Sequence, residues 1–290
     1  MKNKKFILGL LLMFLSINTI AQSKEIRKST NKSKVKTFNY NSMESYLGFF
    51  NFYYDNTNDH IYLEVKQLEK EFLYVNSLSE GIGSNDIGLD RGQLGGRRVV
   101  FFKKAGNKLL LVEPNQKYRA NSNNYLEKKS IKQAFAKSVI WSFPIKESNN
   151  DGYIIDLNDF LLNDAHGVSQ RLKTTRQGSY SVNESRSSME LDRTKAFPKN
   201  IEFDIQLTFT GQPQGDLIKT VTPSADAITV NQHHSFIKLP PLDFKMRHFD
   251  PRSGVNAFRF YDYATPVSES TLQEYVVRHR LEKKNPSSEL

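Results

Sequence analysis

Residues 201–210 read IEFDIQLTFT, and this run decides the fold class. Ile201, Phe203, Ile205, Leu207 and Phe209 fall on one side of an extended chain; Glu202, Asp204, Gln206, Thr208 and Thr210 fall on the other. Unbroken alternation of this kind marks a strand with one face on a core and the other toward water or a polar partner. Working outward, Ile228–Leu239 is a second strand-like run, and the intervening stretch, with Gly211, Pro213, Gly215 and Pro223, is the best candidate boundary between subregions (211–226). Ile61, Leu63 and Val65 alternate with Tyr62, Glu64 and Lys66. The aromatic run Tyr46–Tyr54 predicts a strand buried on both faces, joined to the next by a turn at Asp55–Asp59. Arg97–Lys104 and Lys108–Glu113, separated by Ala105-Gly106-Asn107, predict another hairpin.

Helices are few. Glu127–Lys137 predicts a short amphipathic helix packing on the sheet through Ile131, Ala134 and Phe135. Asn158–Asp164 predicts one or two turns capped by Asn158. Ser179–Lys195 is polar and predicts an irregular excursion. The expected class is therefore α+β with β predominating: twisted antiparallel sheets and two or three short helices.

The second informative stretch is Leu78–Arg98, LSEGIGSNDIGLDRGQLGGRR, a glycine-rich connection between the strand-like runs Glu71–Ser77 and Arg97–Lys103. It is too long for a tight hairpin turn, and connections of this length are more often functional than idle. A Walker loop needs lysine and a hydroxyl residue after its last glycine, whereas Gly96 is followed by Arg97 and Arg98. A dinucleotide fingerprint needs a helix to open there, and the following residues are β-branched and aromatic. Asn85, Asp86 and Asp90 supply oxygens without EF-hand spacing. The stretch reads as a solvated ω-like loop with an internal pair, Asp86 or Asp90 with Arg91 or Arg97, or as a docking loop.

LYVNSLSEGIGSNDIGLDRGQLGGRRVVFF (73–102) resembles the domain of unknown function that precedes the catalytic module in a family of secreted bacterial zinc metalloproteases. The likeness continues through LLLVEPNQKYRA (109–120), AFAKSVIWSF (134–143), IIDLNDFLLNDAHGV (154–168) and AFPKNIEF (196–203). It resumes at HHSFIKLPPLDFKMRHFDPRSG (233–254) and VVRHRLEKKNP (276–286), covering most of residues 45–286. The resemblance implies a zinc-binding His-Glu-x-x-His helix further along than the RHRLEKK-like segment. No histidine here is followed by glutamate, so that motif is absent from these 290 residues. The resemblance thus implies an accessory or propeptide-like region, inactive alone, that docks on or shapes the cleft of a zincin module. Zinc is expected only in that module, and this chain is expected to hold no cofactor.

Met1–Ala21 reads as a secretory signal peptide: Lys2, Lys4 and Lys5, then the apolar run Phe6–Leu15, then Thr19-Ile20-Ala21. That run is too short to span a bilayer comfortably, so no membrane association is expected after cleavage. Residues 22–44 open as a basic, patternless linker. The formal net charge is +10. Setting aside three signal-peptide lysines and the net five of residues 22–37 leaves +2 for residues 38–290, too little for a nucleic-acid-binding face. The chain has no cysteine, hence no disulfide framework and no thiolate ligand. The expected location is the periplasm or the extracellular space.

His233 and His234 are the weak metal candidates, though adjacent residues of a strand point to opposite faces. No Gly-x-Ser-x-Gly elbow is present. In Met246–Gly254 (MRHFDPRSG), Asp250-Pro251 starts a turn flanked by Arg247 and Arg252. The candidate docking surface is accordingly Asp86, Asp90 and Arg91 from the loop with Arg247, Asp250 and Arg252 from this turn. Its expected partner is the zincin module or a peptide substrate. Beyond Tyr275, Arg278, His279, Arg280, Lys283 and Lys284 form a basic tail, and residues 287–290 read as a truncated connection. The competing reading is a free-standing exported β-rich module that binds peptide or glycan, which exposed rings in Tyr46–Tyr54 would favour.

Overall fold

The computed structural model describes residues 40, 42–149, 151–279, 281 and 287. The signal-peptide reading, the linker up to residue 39, and Arg280, Lys283 and Lys284 of the basic tail lie outside the described residues. Alternation is translated directly into strands. In order these are β1 (Glu44–Tyr46), β2 (Asn51–Asp55), β3 (His60–Val65), β4 (Phe72–Glu80), β5 (Leu94–Ala105), β6 (Lys108–Glu113) and β7 (Tyr118–Arg119). Helix α1 (Tyr125–Ala134) precedes β8 (Ser138–Asn149) and β9 (Gly152–Asp156). Helices α2 (Asn158–Leu161) and α3 (Val168–Thr174) lead to β10 (Gly178–Val182) and β11 (Ser188–Phe197). Then come β12 (Asn200–Pro213), α4 (Asp216–Val221), β13 (Ala227–Lys238), β14 (Ala257–Asp262) and β15 (Leu272–Val276).

The deciding run is the heart of β12. Ile201, Phe203, Ile205, Leu207 and Phe209 are fully buried, and the strand pairs antiparallel with β13 along its length, from Asn200↔Ile237 to Thr210↔Ala227. Strand β13 pairs in turn with β4, and β4 with β5. The full order is β1-β2-β3-β9-β8-β6-β5-β4-β13-β12-β10, with β11 also on β12. The sheet curls until its two ends meet. Phe49 N donates to Phe197 O at 2.8 Å, Met189 N donates to Asp59 Oδ2 at 3.0 Å, and the Phe52 and Phe203 rings lie 5.0 Å apart. A core of phenylalanines fills the inside, including Phe52, Phe72, Phe102, Phe143, Phe203 and Phe236. Each such side chain contributes about 2–3 kcal/mol of burial. A separate small sheet, β15-β14-β7, joins β7 to β14 in parallel.

The structure departs from the sequence expectations in several places. Tyr46–Tyr54 is broken by bends at residues 48–50; in β2 only Phe52 and Tyr54 are buried, so this is a one-faced strand. Helix α1 begins at Tyr125 behind the Asn124 cap and buries none of its own residues; Phe135, its C-cap, stacks on Tyr118 of the small sheet at 4.0 Å. Asn158 is no cap: its Oδ1 accepts from Ile61 N at 2.9 Å, tying α2 to β3. Residues 179–195 form β10 and most of β11, because a partner's backbone groups make a strand even where the side chains are polar. Residues 211–226 connect two neighbouring strands of one sheet through α4. Helix α3 has no counterpart among the sequence expectations. Asp164 starts it, accepting from Gly167 N, Val168 N and Ser169 N at 2.7–2.9 Å.

Candidate functional site

The two histidines of β13 do point to opposite faces. On the outer face, register sets Asp204 opposite His233 and Glu202 opposite Ser235. His233 Nδ1 donates to Asp204 Oδ2 at 3.2 Å and Nε2 to Glu202 Oε2 at 2.9 Å. Ser79 donates to Asp204 Oδ1 at 2.8 Å, and Ser235 and Asn200 both donate to Glu202. Burial by itself lowers the His233 pKa, but the hydrogen bonds to Asp204 and Glu202 outweigh it and push the pKa up to about 9. Desolvation raises the Glu202 pKa, yet its bonds to His233, Ser235 and Asn200 hold it below the usual carboxylate range. The result is an imidazolium between carboxylates. With both ring nitrogens donating, it has no lone pair for a metal or for a serine proton.

On the inner face, the row Ile228, Val230, Gln232, His234, Phe236 carries two polar members in an apolar series. Gln232 Nε2 donates to Asn163 O at 2.8 Å and lies 2.9 Å from His234 Nε2. The second amide N–H is then aimed at the ring, so Nε2 is the acceptor and the ring proton sits on Nδ1, 2.9 Å from Tyr74 Oη. Complete burial drives the His234 pKa down to about 3, so this ring is neutral. Gln232 Oε1 accepts from His166 N at 2.9 Å, and Asn76 bridges Ala165 O and Gly96 N. These buried polar groups form a plinth that holds the backbone of residues 163–166 against the sheet.

That plinth also anchors the glycine-rich loop, which runs from Gly81 to Gln93. His166 Nε2 lies 3.3 Å from Gln93 Oε1, and a β-carbon on Gly95 would sit 2.1 Å from Asn76 Oδ1. The loop folds on itself: Ile82 N donates to Leu89 O and Gly92 N to Leu78 O. Ile82, Ile87 and Leu89 are buried in the main core, so the loop's inner half is structural and only its rim is solvated. Asp86 and Arg91 stand on that rim, with Asp90 half-buried. Among the described residues no salt bridge joins Asp86 or Asp90 to Arg91 or Arg97; Arg98 pairs instead with Glu113 at 2.7 Å.

Met246–Gly254 lies elsewhere, along the outer edge of the small sheet. Phe249 N donates to Glu274 O, and Val276 N donates to Arg247 O. Arg252, itself exposed, forms a local bidentate pair with the half-exposed Asp250, at 3.0 and 2.6 Å. Among the described residues no hydrogen bond or salt bridge joins this turn to the glycine-rich loop, so the six docking candidates fall into two separate groups. Around the turn, Met246, Val255, Phe258 and Val277 are exposed, and the backbone bonds Val276–Arg247 and Val277–Asn256 bring their segments together.

Sequence reading missed Tyr74, Asn76, Glu202, Asp204 and Gln232. Gln232 was detectable as a polar residue in phase with Ile228, Val230 and Phe236. The partners of His233 were not, since strand register across distant segments is not encoded locally. Among the described residues no set of three or more histidine, cysteine, aspartate or glutamate side chains is arranged to hold a metal ion. No described helix is long and apolar enough to cross a membrane.

Residues 92–284 match the family model of DUF5117, a domain of unknown function, and residues 32–81 match that of DUF5118, also a domain of unknown function. No curated protein and no solved structure matches the chain. The junction between the two matches falls in the glycine-rich loop, yet the strands interleave across it. Strand β3 of the first match pairs with β9 of the second, and β4 lies between β5 and β13.

Proposed function

This chain belongs to the DUF5117 family. We propose that it is a non-catalytic accessory or propeptide-like region of an exported zinc metallopeptidase, docking on a zincin module. The resemblance of its sequence segments to the region preceding such modules supports the metallopeptidase setting. The observation that carries the docking role is the exposed apolar group Met246, Val255, Phe258 and Val277 beside the Arg247–Arg252 turn. Apolar side chains gathered in this way, rimmed by Arg247, Asp250 and Arg252, have the composition of a protein-binding surface. In Tyr46–Tyr54 the rings of Phe52 and Tyr54 are buried and those of Tyr46, Phe49, Phe50 and Tyr53 half-buried, so the run supports a free-standing peptide- or glycan-binding module less than fully exposed rings would.

The histidines fit a structural part in this reading. His233 is held as a cation by two carboxylates, and His234 is sealed in the core as a neutral hydrogen-bond partner. Neither fits a zinc site, so no catalytic step is assigned to them. The test is association of the chain with a separately expressed zincin domain carrying His-Glu-x-x-His-x-x-Gly-x-x-His. Saturable binding is expected, weakened at least about tenfold by Phe258→Asp with Met246→Asp. Asp86→Ala with Arg91→Ala asks the same of the loop rim without touching its buried half. If the unaltered chain fails to associate at tens of micromolar, the docking role is wrong.

A further inference from the structure

Where the two ends of the curled sheet meet, a cavity of about 360 Å³ opens at the mouth of the barrel-like core. One wall is the bend between β1 and β2, which contributes Phe49 and Phe50. The opposite wall is the β3–β4 connection with Lys66 and Lys70, and the end of β13 adds Lys238. We propose that this cavity binds a small organic anion, its carboxylate or phosphate facing the lysines and its apolar body lying against Phe49 and Phe50.

Charge is the first argument. Three ammonium groups line the cavity against one carboxylate, Glu64, which is already committed to Lys66 at 3.3 Å and to Asn51 Nδ2 at 2.7 Å. Lys70 has only the neutral Gln67 amide, at 2.8 Å. Lys238 has no salt bridge or side-chain hydrogen bond among the described residues. Two cations without a counter-charge at a concave site attract an anion, and ammonium groups act as point charges for carboxylate and phosphate alike.

Rigidity is the second. Phe50 belongs to the core's aromatic set, 5.2 Å from Phe72 and 5.8 Å from Phe102. The bend is pinned by Phe49 N on Phe197 O, and a β-carbon on Gly48 would fall 2.7 Å from that same oxygen. The apolar wall is therefore built before any ligand arrives, as in pre-formed sites at barrel mouths. Its volume lies at the small end of the range for ligand sites, which limits the occupant to a compact molecule.

The test is calorimetric titration of the full chain at low salt with phenylphosphate and, separately, phenylacetate. One of them is expected to bind saturably with a Kd below about 1 mM, and the preferred one identifies the head group. Lys70→Met and Lys238→Met should each weaken binding at least about fivefold while leaving the thermal midpoint unchanged. Lys104→Met, whose ammonium lies over the Tyr153 ring at 4.8 Å, should leave binding as it was. Failure of both probes to saturate by about 10 mM would overturn the proposal, as would undiminished binding by the Lys70 and Lys238 variants. Inorganic phosphate binding as tightly as phenylphosphate would overturn the part assigned to Phe49 and Phe50.

Discussion

His233 and His234 show how one step along a strand separates two electrostatic fates. His233 gains two carboxylate partners, so its folded pKa of about 9 exceeds the ordinary histidine value of 6.5. The stability it contributes is therefore complete below pH 6.5 and lost as pH rises through about 9. His234 behaves in the opposite sense. Its folded pKa of about 3 lies below 6.5, so stability falls as acid charges the unfolded chain but not the buried ring. Glu202, held low, adds to the loss in acid. Urea unfolding midpoints from pH 4 to pH 10 should thus peak near pH 6–7. His233→Asn strands Glu202 and Asp204 without their cation and should cost on the order of 3 kcal/mol at pH 7. The gap to the parent protein should narrow above pH 9, where the parent's imidazole is neutral too. A gap that stayed constant across that range would show that the cation is not what holds the pair.

At the scale of the element, the loop of residues 81–93 is part of the core rather than a flap upon it. Leu89→Ala removes a fully buried side chain and should cost about 2–5 kcal/mol of global stability, read by chemical denaturation. Gly81→Ala places a β-carbon 2.2 Å from Leu89 O, with Asp90 and Arg91 backbone atoms also inside 3 Å. No flexible side chain can yield there, so the substitution should destabilise by more than about 2 kcal/mol. It should also speed hydrogen exchange at Ile82 N and Gly92 N, two of the amides that close the loop on itself. Its length and glycines make this connection legible in the sequence as a solvated or docking loop, but not its buried inner half. Ile82, Ile87 and Leu89 follow no period, and an irregular backbone can bury apolar side chains in no order that a helix or strand template detects.

At the scale of the whole molecule, the described residues of the two matched regions form one folded body. Strands β1–β4 come from the first, and each finds at least one hydrogen-bonding neighbour chain-distant from it or depends on a strand that does. Separately expressed residues 40–91 and 92–284, which together keep the buried loop residues, should each remain unfolded by circular dichroism, and co-expression should recover the β spectrum of the intact chain. Independent folding of either piece would contradict the interleaved sheet. The 290-residue protein should also show no chelator-sensitive peptide-bond cleavage, since neither its motifs nor its described side chains assemble a zinc site.

The sequence alone determined that this is an alternating β protein with few helices. Period-two patterning is local, and Ile201–Thr210 carries it without help from the rest of the chain. It also determined that His233 and His234 face opposite ways, because neighbouring residues of a strand must. Only the tertiary structure decided that Asp204 and Glu202 flank one histidine, that Tyr74 and Gln232 hold the other, and that the sheet curls to enclose a lysine-lined mouth. Apart from the Gln232–His234 contact within β13, those contacts join strands dozens of residues apart, and their register is set by how every strand in the sheet shares one core.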